Sequence, residues 1–240
     1  MPDTDLAPGR PTAERVHGIF SQIAGRYDVF NAMASMGIDR SWRRELVRAC
    51  QLTPQSRVLD LASGTGDVAF ALASLGAPAE VVATDFVPEM LVVAERKAAD
   101  NPPAVPVSFS VADAQELPFG DASFDVVTVA FGVRNFPDRE RNFSEVLRVL
   151  KPGGRYVILE FSRPTLAPWR GVYHVYLRHA IPAIGGVLTG DREGFVYLND
   201  SIRQFPTQPQ LAAELREAGF NAITWKDLSG GIVALHTAVK

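Results

Sequence analysis

The sequence predicts a doubly wound α/β domain, and three patterns support this prediction. Between residues 56 and 162, short runs of β-branched and apolar residues alternate with helix-length segments. The runs are almost continuously apolar, as in parallel strands that helices cover on both faces. The last two runs are joined through Ser229-Gly230-Gly231, and so short a turn joins antiparallel strands. We therefore expect a seven-stranded, mostly parallel sheet with an antiparallel last strand.

The predicted elements follow one another along the chain. The segment from Thr12 to Leu52 reads as helical, with Thr12 and Asp39 as helix N-caps. The Pro152-Gly153-Gly154 run predicts an abrupt turn after a helix that ends near residue 150. Strands are predicted at 57–61, 81–84, 107–111, 124–129, 156–160, 222–227 and 232–239, and helices of the core near 67–75, 88–100, 138–150 and 209–218.

A single domain is expected to account for all 240 residues. A long insertion follows the fifth strand, and it is too aromatic and apolar to be disordered. We expect this insertion and the N-terminal helices to cap the carboxyl edge of the sheet. The expected parts are an N-terminal helical cap at 12–55, a cofactor-binding core at 56–162, a lid at 163–205, and a C-terminal helix with two strands at 206–240.

Composition excludes several classes of protein. The 24 Lys and Arg against 27 Asp and Glu leave a net charge of −3, so the chain has no overall basic field for nucleic acid. The single cysteine, Cys50, excludes an internal disulfide and a thiolate metal cluster. No apolar stretch reaches the roughly 20 residues of a membrane span, and residues 1–11 lack the pattern of a secretory signal. We expect a cytoplasmic protein that binds no nucleic acid and no metal.

A glycine-rich loop follows the first predicted strand. The segment Gly64-Thr65-Gly66 stands where that strand ends and a helix begins, so its backbone can turn tightly and approach a ligand. With Ala69, the spacing also satisfies the fingerprint of dinucleotide-binding proteins. The loop therefore predicts a nucleotide-containing cofactor without identifying it.

Three aspartates at strand ends narrow the choice of cofactor. Asp60 ends the first strand, where a carboxylate would repel a pyrophosphate but could bind an amino group, which favours S-adenosylmethionine. Asp85 ends the second strand and is placed to accept hydrogen bonds from ribose hydroxyls. Asp113 and Ala114 follow the third strand, where a carboxylate and a backbone amide can recognise the adenine edge while Phe86 or Val87 packs on the ring.

Two longer segments carry a more specific signal. They are Tyr27-Asp28-Val-Phe-Asn31, which runs on to Trp42, and Arg148-Val-Leu-Lys-Pro-Gly-Gly-Arg-Tyr-Val-Ile-Leu-Glu-Phe-Ser162. Both resemble signatures of the ubiquinone/menaquinone-biosynthesis C-methyltransferases. The resemblance extends from about Thr12 to the carboxyl terminus, so it includes the segments outside the core.

The chain departs from the pattern of this family at three positions. Phe30 stands where the family has Met, Asp39 where it has His, and Ala130 where a serine contacts the cofactor. A histidine base at position 39 is therefore excluded, and a contact at Ala130 has no side-chain hydroxyl to use. The candidate cofactor-binding residues are Asp60, Gly64, Thr65, Gly66, Asp85, Phe86, Asp113, Ala114 and Ala130.

The resemblance implies a class I S-adenosylmethionine-dependent methyltransferase that acts on a polyprenylated hydroquinone, and we expect this to be the naphthoquinol demethylmenaquinol. The ring carbon of a hydroquinone becomes nucleophilic once a phenol loses or shares its proton, so the site must stabilise a phenolate. Arg134, directly after the fourth strand, is the leading catalytic candidate for that role. Tyr27, Asp28 and Asn31 could close the other side of the ring, with Asp28 as the candidate base.

The insertion at 163–205 also suggests where the enzyme works. Its aromatic and apolar side chains are interleaved with arginines, a composition that suits contact with a membrane surface. Because a polyprenyl substrate lies in the bilayer, we expect the protein to be peripheral to the inner face of the cell membrane. The same side chains could instead pack against the core or the second subunit of a homodimer. His174, His179 and Tyr197 are weaker catalytic candidates in this segment.

Three alternative functions stay open at this point. The same enzyme could methylate the benzoquinol precursor in ubiquinone biosynthesis. A nucleotide-dependent oxidoreductase could use the glycine loop, and it would be stabilised by NADH but not by S-adenosylhomocysteine. A non-enzymatic membrane-binding protein would be stabilised by neither.

Overall fold

A computed structural model describes residues 12–35, 37–164 and 199–240. Its strands are β1 (Arg57–Leu61), β2 (Glu80–Asp85), β3 (Val107–Val111), β4 (Phe124–Ala130), β5 (Leu150–Phe161), β6 (Asn221–Leu228) and β7 (Val233–Val239). They form one seven-stranded sheet in the order β3-β2-β1-β4-β5-β7-β6. The first five strands are parallel, and β7 is antiparallel to both of its neighbours. The predicted mostly parallel sheet with an antiparallel last strand is confirmed.

Helices cover both faces of this sheet. They are α1 (Ala13–Ile23), α2 (Tyr27–Ser35), α3 (Asp39–Cys50), α4 (Asp67–Ala71), α5 (Pro88–Asp100), α6 (Arg139–Val149) and α7 (Gln208–Glu217). A π-helical turn, Leu72–Gly76, continues α4, and residues 199–204 are also helical. Single 3₁₀ turns lie at Ala24–Arg26, Val133–Asn135 and Ser229–Gly231.

The buried strands explain why the apolar runs in the sequence are continuous. Each face of the sheet carries its own hydrophobic core, one including Phe143 and Leu211 of the α6 and α7 side and the other including Leu46 and Leu72 of the α3 and α4 side. Residues of both orientations along β1, β2 and β4 are therefore buried. The strands at the two edges, β3 and β6, are far more exposed.

One predicted helix cap is present and the other is displaced by one residue. Thr12 caps α1, and its side chain accepts a hydrogen bond from the Arg15 N–H at 3.3 Å. Asp39 was wrongly predicted as a cap, because α3 begins at Asp39 and its N-cap is Ile38. The Asp39 carboxylate instead accepts a hydrogen bond from the Ser35 hydroxyl at 2.8 Å and pairs with Arg43 at 2.8 Å.

The predicted turn at Pro152-Gly153-Gly154 is also wrong, because β5 already begins at Leu150 and runs through these residues. The pairing of β4 with β5 shifts register between Phe124 and Val126, and Gly153 takes a φ of 76°. Gly153 and Gly154 exchange backbone hydrogen bonds with Lys240. The glycines therefore form an irregular part of a strand that the carboxyl terminus pairs with, instead of leaving the sheet.

Most of the lid and docking surface expected at 163–205 cannot be compared with the structure, because residues 165–198, with His174, His179 and Tyr197, lie outside the described part of the chain. In the ranges that the structure does describe, no helix has the length and hydrophobicity needed to cross a membrane.

Candidate active site

A cleft opens at the carboxyl ends of β1, β2 and β4. The strand order reverses between β1 and β4, and ligands of open α/β sheets bind at such a reversal. The cleft has a volume of about 770 Å³, counted out to its open mouth. Helix α1 and the start of α2 close one side of it through Ala13, Val16, Phe20 and Tyr27.

The glycine loop forms the floor of this cleft between β1 and α4. Its backbone has positive φ values at Ala62, Gly64 and Gly66, so it turns sharply as it leaves the strand. A Cβ on Gly66 would lie 2.8 Å from the Phe70 ring and 3.1 Å from Ala94. Glycine is therefore needed at position 66 both for its φ of 85° and for close packing beneath the loop.

Asp85 supports the glycine loop as well as facing the cleft. Its carboxylate accepts hydrogen bonds from the Gly64 N–H at 2.7 Å and the Val87 N–H at 2.8 Å. Burial raises the pKa of Asp85, and these backbone N–H groups oppose the shift. A carboxylate oxygen can accept more than one hydrogen bond, so Asp85 can hold the loop and still bind a ligand hydroxyl.

Asp113 and Ala114 line the cleft at the end of β3, with Phe86 and Gln115 beside them. The Asp113 carboxylate accepts hydrogen bonds from the Gln115 backbone at 2.8 Å and from its side chain at 3.2 Å. Phe86 is 42% exposed and packs edge-on against His17 of α1. An exposed aromatic ring next to a carboxylate and a backbone amide suits a planar heterocycle with a polar edge.

Asp60 lies beneath the loop, buried to 1% exposure. Its Oδ1 accepts a hydrogen bond from the Thr128 hydroxyl at 2.6 Å, whereas its Oδ2 has no partner. Burial raises the pKa of Asp60 to about 7, and the nearby Asp85 adds to the increase. A cation in the cleft above would favour the ionised carboxylate and lower that pKa.

The segment after β4 forms the opposite wall through Phe131, Gly132, Asn135 and Phe136. Arg134 is buried behind this wall at 7% exposure. Its Nη1 donates a hydrogen bond to Glu160 Oε1 at 2.9 Å and another to the carbonyl of Phe131. The guanidinium therefore links the end of β4 to the end of β5.

Tyr27 reaches into the cleft from the first turn of α2. Its ring packs edge-on against Phe20, with centroids 5.9 Å apart, and its hydroxyl interacts with the side chain of Asn31. Burial raises the pKa of Tyr27, and the charge of Arg134 opposes this shift. The hydroxyl is therefore protonated at neutral pH and can donate a hydrogen bond.

An ion-pair network joins α2 to the glycine loop. The Lys97 ammonium contacts Asp28 at 2.9 Å and Asp67 at 2.5 Å, and the Thr65 hydroxyl donates a hydrogen bond to Asp28. Arg43 of α3 also contacts Asp67, at 3.3 Å. These contacts connect the N-terminal helices to the loop and to α5.

Unpartnered polar atoms mark the same edge of the sheet. Among the described residues, five buried side-chain atoms have no hydrogen-bond partner. Four of them belong to residues at the carboxyl ends of β1, β4 and β5: Asp60 Oδ2, Ser63 Oγ, Arg134 Nε and Ser162 Oγ. Because buried polar groups normally find partners, this edge is built to receive polar ligand groups or water.

The structure brings most of the predicted site residues to one cleft. Its lining includes Gly64, Asp85, Phe86, Asp113, Ala114, Ala130 and Tyr27. Five other predicted site residues are not among the described residues that line the cleft. They are Asp60, Thr65, Gly66, Asp28 and Arg134. Asp28 and Thr65 bond to each other, Arg134 and Gly66 bond to backbone carbonyls of the wall and the loop, and Asp60 bonds to the Thr128 hydroxyl of β4. Their predicted roles stay predictions.

Sequence analysis missed Lys97, Glu160 and Phe131. Lys97 is one lysine on an otherwise ordinary helix, and Glu160 ends a strand whose neighbours are apolar. Phe131 lies just after the fourth predicted strand, and nothing in its residue type indicates the positive φ of 57° that it adopts. Their importance comes only from the residues that they contact.

Comparison with known proteins agrees with this geometry. The demethylmenaquinone methyltransferase of Streptomyces avermitilis is 45% identical over 225 residues, which are 94% of this chain and 94% of that protein. The ubiquinone/menaquinone biosynthesis C-methyltransferase UbiE of Acidiphilium cryptum is 43% identical over 93% of this chain and 89% of that protein. Since this similarity extends along nearly the whole length of the relatives, it includes the cap, the core and the two last strands.

Similarity to solved structures concerns the fold. The crystal structure of the [4+2]-cyclase SpnF superposes with a TM-score of 0.71 over 97% of each chain, at 19% identity. At 19% identity this similarity shows the fold alone, whereas a match to a family model is more specific. The model of the ubiE/COQ5 methyltransferase family matches residues 10–240. The chain therefore belongs to the ubiE/COQ5 methyltransferase family.

Proposed function

We propose that this protein transfers the methyl group of S-adenosylmethionine to a ring carbon of demethylmenaquinol, forming menaquinol. The observation that carries the proposal is the family match along residues 10–240, together with relatives named demethylmenaquinone methyltransferase. Membership of a methyltransferase family rules out the oxidoreductase and the non-enzymatic alternatives. Methylation of the benzoquinol precursor stays open as a second substrate, because other relatives are named for both quinones.

The residues of the cleft fit S-adenosylmethionine. Asp85 would accept hydrogen bonds from the ribose, and Asp113 with Ala114 would recognise the adenine edge beside Phe86. The unpartnered Oδ2 of Asp60 would face the ammonium of the methionine part, directly or through water. When bound, the cofactor supplies a methyl group on an electrophilic sulfonium. The glycine loop and Asp60 would hold its amino acid end, next to the end of β4, where the methyl group would be transferred.

The acceptor ring needs a group that stabilises developing phenolate. Tyr27 keeps its proton because of its raised pKa, so its hydroxyl can donate a hydrogen bond to a phenolate oxygen. Arg134 lies behind the wall, and its positive charge acts at longer range. Asp28 bonds to Lys97 and Thr65, so we infer that it positions the glycine loop instead of acting as the base. Each turnover releases one proton, since a ring C–H is replaced by C–CH₃.

The chemistry of the substrate also indicates where in the cell the enzyme acts. A polyprenyl chain keeps the quinol in the bilayer, so we propose that the enzyme acts at the inner face of the cell membrane as a peripheral protein. Whether it does so as a homodimer is testable by sedimentation of the protein with and without lipid vesicles.

The deciding experiment is methyl transfer to a short-chain demethylmenaquinone. The protein is incubated with methyl-labelled S-adenosylmethionine, with and without a chemical reductant, and the products are analysed by mass spectrometry. We expect label on the ring only under reduction, because the quinone lacks an electron-rich carbon. No label in either condition, with cofactor binding demonstrated, would contradict the naphthoquinol assignment and make the benzoquinol the next substrate to test.

Replacing Lys97 by methionine is expected to weaken cofactor binding. Asp28 and Asp67 would then face each other without the ammonium between them, and α2 would be held less firmly on the loop. We expect the affinity for S-adenosylhomocysteine to fall about fivefold, equivalent to about 1 kcal/mol, which is the upper range for exposed ion pairs. Isothermal titration calorimetry measures this change.

Lys151→Met is the matched control for Lys97→Met. Lys151 pairs with Asp125 at 2.8 Å, and this pair is exposed to a degree similar to that of Lys97 and Asp28. Asp125, however, lies in β4 at the amino end of the sheet. This variant should lose a comparable ion pair and keep its affinity for S-adenosylhomocysteine. Equal losses of affinity in both variants would show that Lys97 has no particular role at the site.

A further inference from the structure

We infer that the side chain of Phe131 is the surface on which the aromatic ring of the acceptor stacks, and that Arg134 is the positioning residue that holds it there. The inference rests on the proposed function, since it assigns the place of the quinol ring. It is carried by the backbone of Phe131, the contacts of its ring and the order of residues along the cleft.

Phe131 has an unusual backbone for its type. Its φ is 57°, in the left-handed region where a bulky side chain is a genuine outlier. Such conformations persist only where surrounding contacts hold them, and they concentrate at functional sites. Gly132, which would adopt this conformation at little cost, is the very next residue and has a negative φ of −105°.

Hydrogen bonds to its backbone hold Phe131 in the wall after β4. Its N–H donates a hydrogen bond to the Leu159 carbonyl at 2.8 Å, which ties it to β5. Its carbonyl accepts hydrogen bonds from Arg134 Nη1 and, at 3.4 Å, from Asn135 Nδ2. Arg134 is itself fixed by Glu160, and the side chains are only 5% and 2% exposed. A buried ion pair therefore fixes the peptide that carries the Phe131 ring.

The Phe131 ring packs against two other aromatic side chains. Its centroid lies 4.6 Å from that of Phe161 and 6.1 Å from that of Trp42, and Arg134 lies over Phe161 at 5.3 Å. Phe131 is half-buried and lines the cleft. A ring fixed by two aromatic neighbours in a residue that lines the cleft can offer a rigid apolar surface to a planar ligand.

The position of Phe131 matches where the acceptor must lie. Asp85 at the end of β2 and Asp113 after β3 would hold the adenosine part, which would leave the ends of β1 and β4 for the transfer of the methyl group. A Cβ on Gly132 would come within 2.7 Å of the Ala62 Cβ, so the wall after β4 packs directly on the glycine loop. The acceptor ring would lie beside this junction, where an electron-rich ring favours an offset stack on an aromatic neighbour.

Two substitutions of Phe131 test the stacking. Phe131→Asn removes the ring and tolerates a left-handed backbone, whereas Phe131→Tyr keeps the ring. With labelled S-adenosylmethionine and a short-chain demethylmenaquinol, we expect Phe131→Asn to raise the KM for the quinol by about tenfold. Phe131→Tyr should keep the KM close to that of the wild-type protein. The increase caused by Phe131→Asn should be the same for two prenyl lengths. Calorimetry should give an unchanged affinity for S-adenosylhomocysteine in both variants.

The positioning role of Arg134 is tested by combining substitutions. In the background Arg134→Met with Glu160→Gln, which removes the buried pair as a unit, adding Phe131→Asn should raise the KM for the quinol no further. Independent, multiplied increases would overturn the positioning role and favour direct action of Arg134 on the phenolate.

Other outcomes would overturn the stacking itself. An unchanged KM for the quinol in Phe131→Asn would do so, and so would an equal loss of affinity for S-adenosylhomocysteine, because that would indicate a structural effect on the whole cleft. A wild-type protein that binds S-adenosylhomocysteine but methylates no quinol would contradict the proposed function, and this inference with it.

Discussion

Asp60→Asn is expected to stabilise the ligand-free protein at neutral pH while it weakens the binding of S-adenosylmethionine. Both effects come from one buried carboxylate whose Oδ2 has no hydrogen-bond partner. In the ligand-free fold a charge at this position is unfavourable, because the group is desolvated and near Asp85. With a cationic ammonium above it, the same charge becomes favourable.

The sign of the pH dependence follows from the raised pKa. The pKa of Asp60 is about 7 in the folded protein and about 3.9 in an unfolded chain. Its contribution to stability is therefore fully present below about pH 4 and is lost as the pH rises to about 7. Over this window the free energy of unfolding should fall by up to about 4 kcal/mol because of Asp60 alone. Asp60→Asn should remove that decrease, which denaturant titrations between about pH 4 and pH 8 can measure.

Asp60→Asn should weaken cofactor binding although it stabilises the ligand-free protein. Loss of a charged hydrogen-bond acceptor costs about 1.5–3 kcal/mol, so the affinity for S-adenosylhomocysteine should fall by about 10- to 150-fold. Asp125→Asn is the control, since Asp125 lies in the same sheet at its amino end. Despite desolvation, hydrogen bonds from Lys151 and the Arg57 N–H lower the pKa of Asp125, so this variant should be destabilised and bind the cofactor normally. A destabilised Asp60→Asn protein would contradict the assignment.

Arg134→Met is expected to be the most destabilising single substitution in the site. Arg134 and Glu160 are buried together, and removing one partner of such a pair costs about 3–5 kcal/mol because it leaves an uncompensated charge. The Glu160 carboxylate would keep only its contacts with the N–H groups of Phe161 and Arg134, at 2.8 and 3.3 Å. Urea denaturation of the purified variant measures the loss.

Adding Glu160→Gln to Arg134→Met should recover most of that stability. A neutral amide removes the buried charge, and replacing both members of a buried pair is often close to neutral. Methyl transfer should not recover with it, because the Phe131 carbonyl would still lack the Arg134 donor. A double variant that regains stability and full kcat/KM would show that the pair serves the fold alone. One that stays as unstable as Arg134→Met would show that packing of the guanidinium, and not charge, is decisive.

Much of the fold could be predicted because its signals are local. The apolar runs locate β1 to β4 to within one residue at each end, since a strand buried on both faces must be apolar throughout. The errors occur where local signals have two meanings. Pro152-Gly153-Gly154 has the composition of a turn, but the same glycines permit a bulge in a strand that finds a partner in Lys240. Asp39 has the preferences of a cap, but it begins the helix because Arg43 pairs with it.

The sequence by itself determined the sheet, the glycine loop and the strand-end aspartates that point to S-adenosylmethionine, because each depends on periodicity or on residues close together in the chain. Only the tertiary structure decided which side chains reach the cleft and which act from behind it. Asp28 contacts Lys97, which is 69 residues away in the sequence, and Arg134 contacts Glu160, which is 26 residues away. Partners so far apart are chosen by how the helices and strands pack, and the strained backbone of Phe131 is a result of that packing and of no local preference.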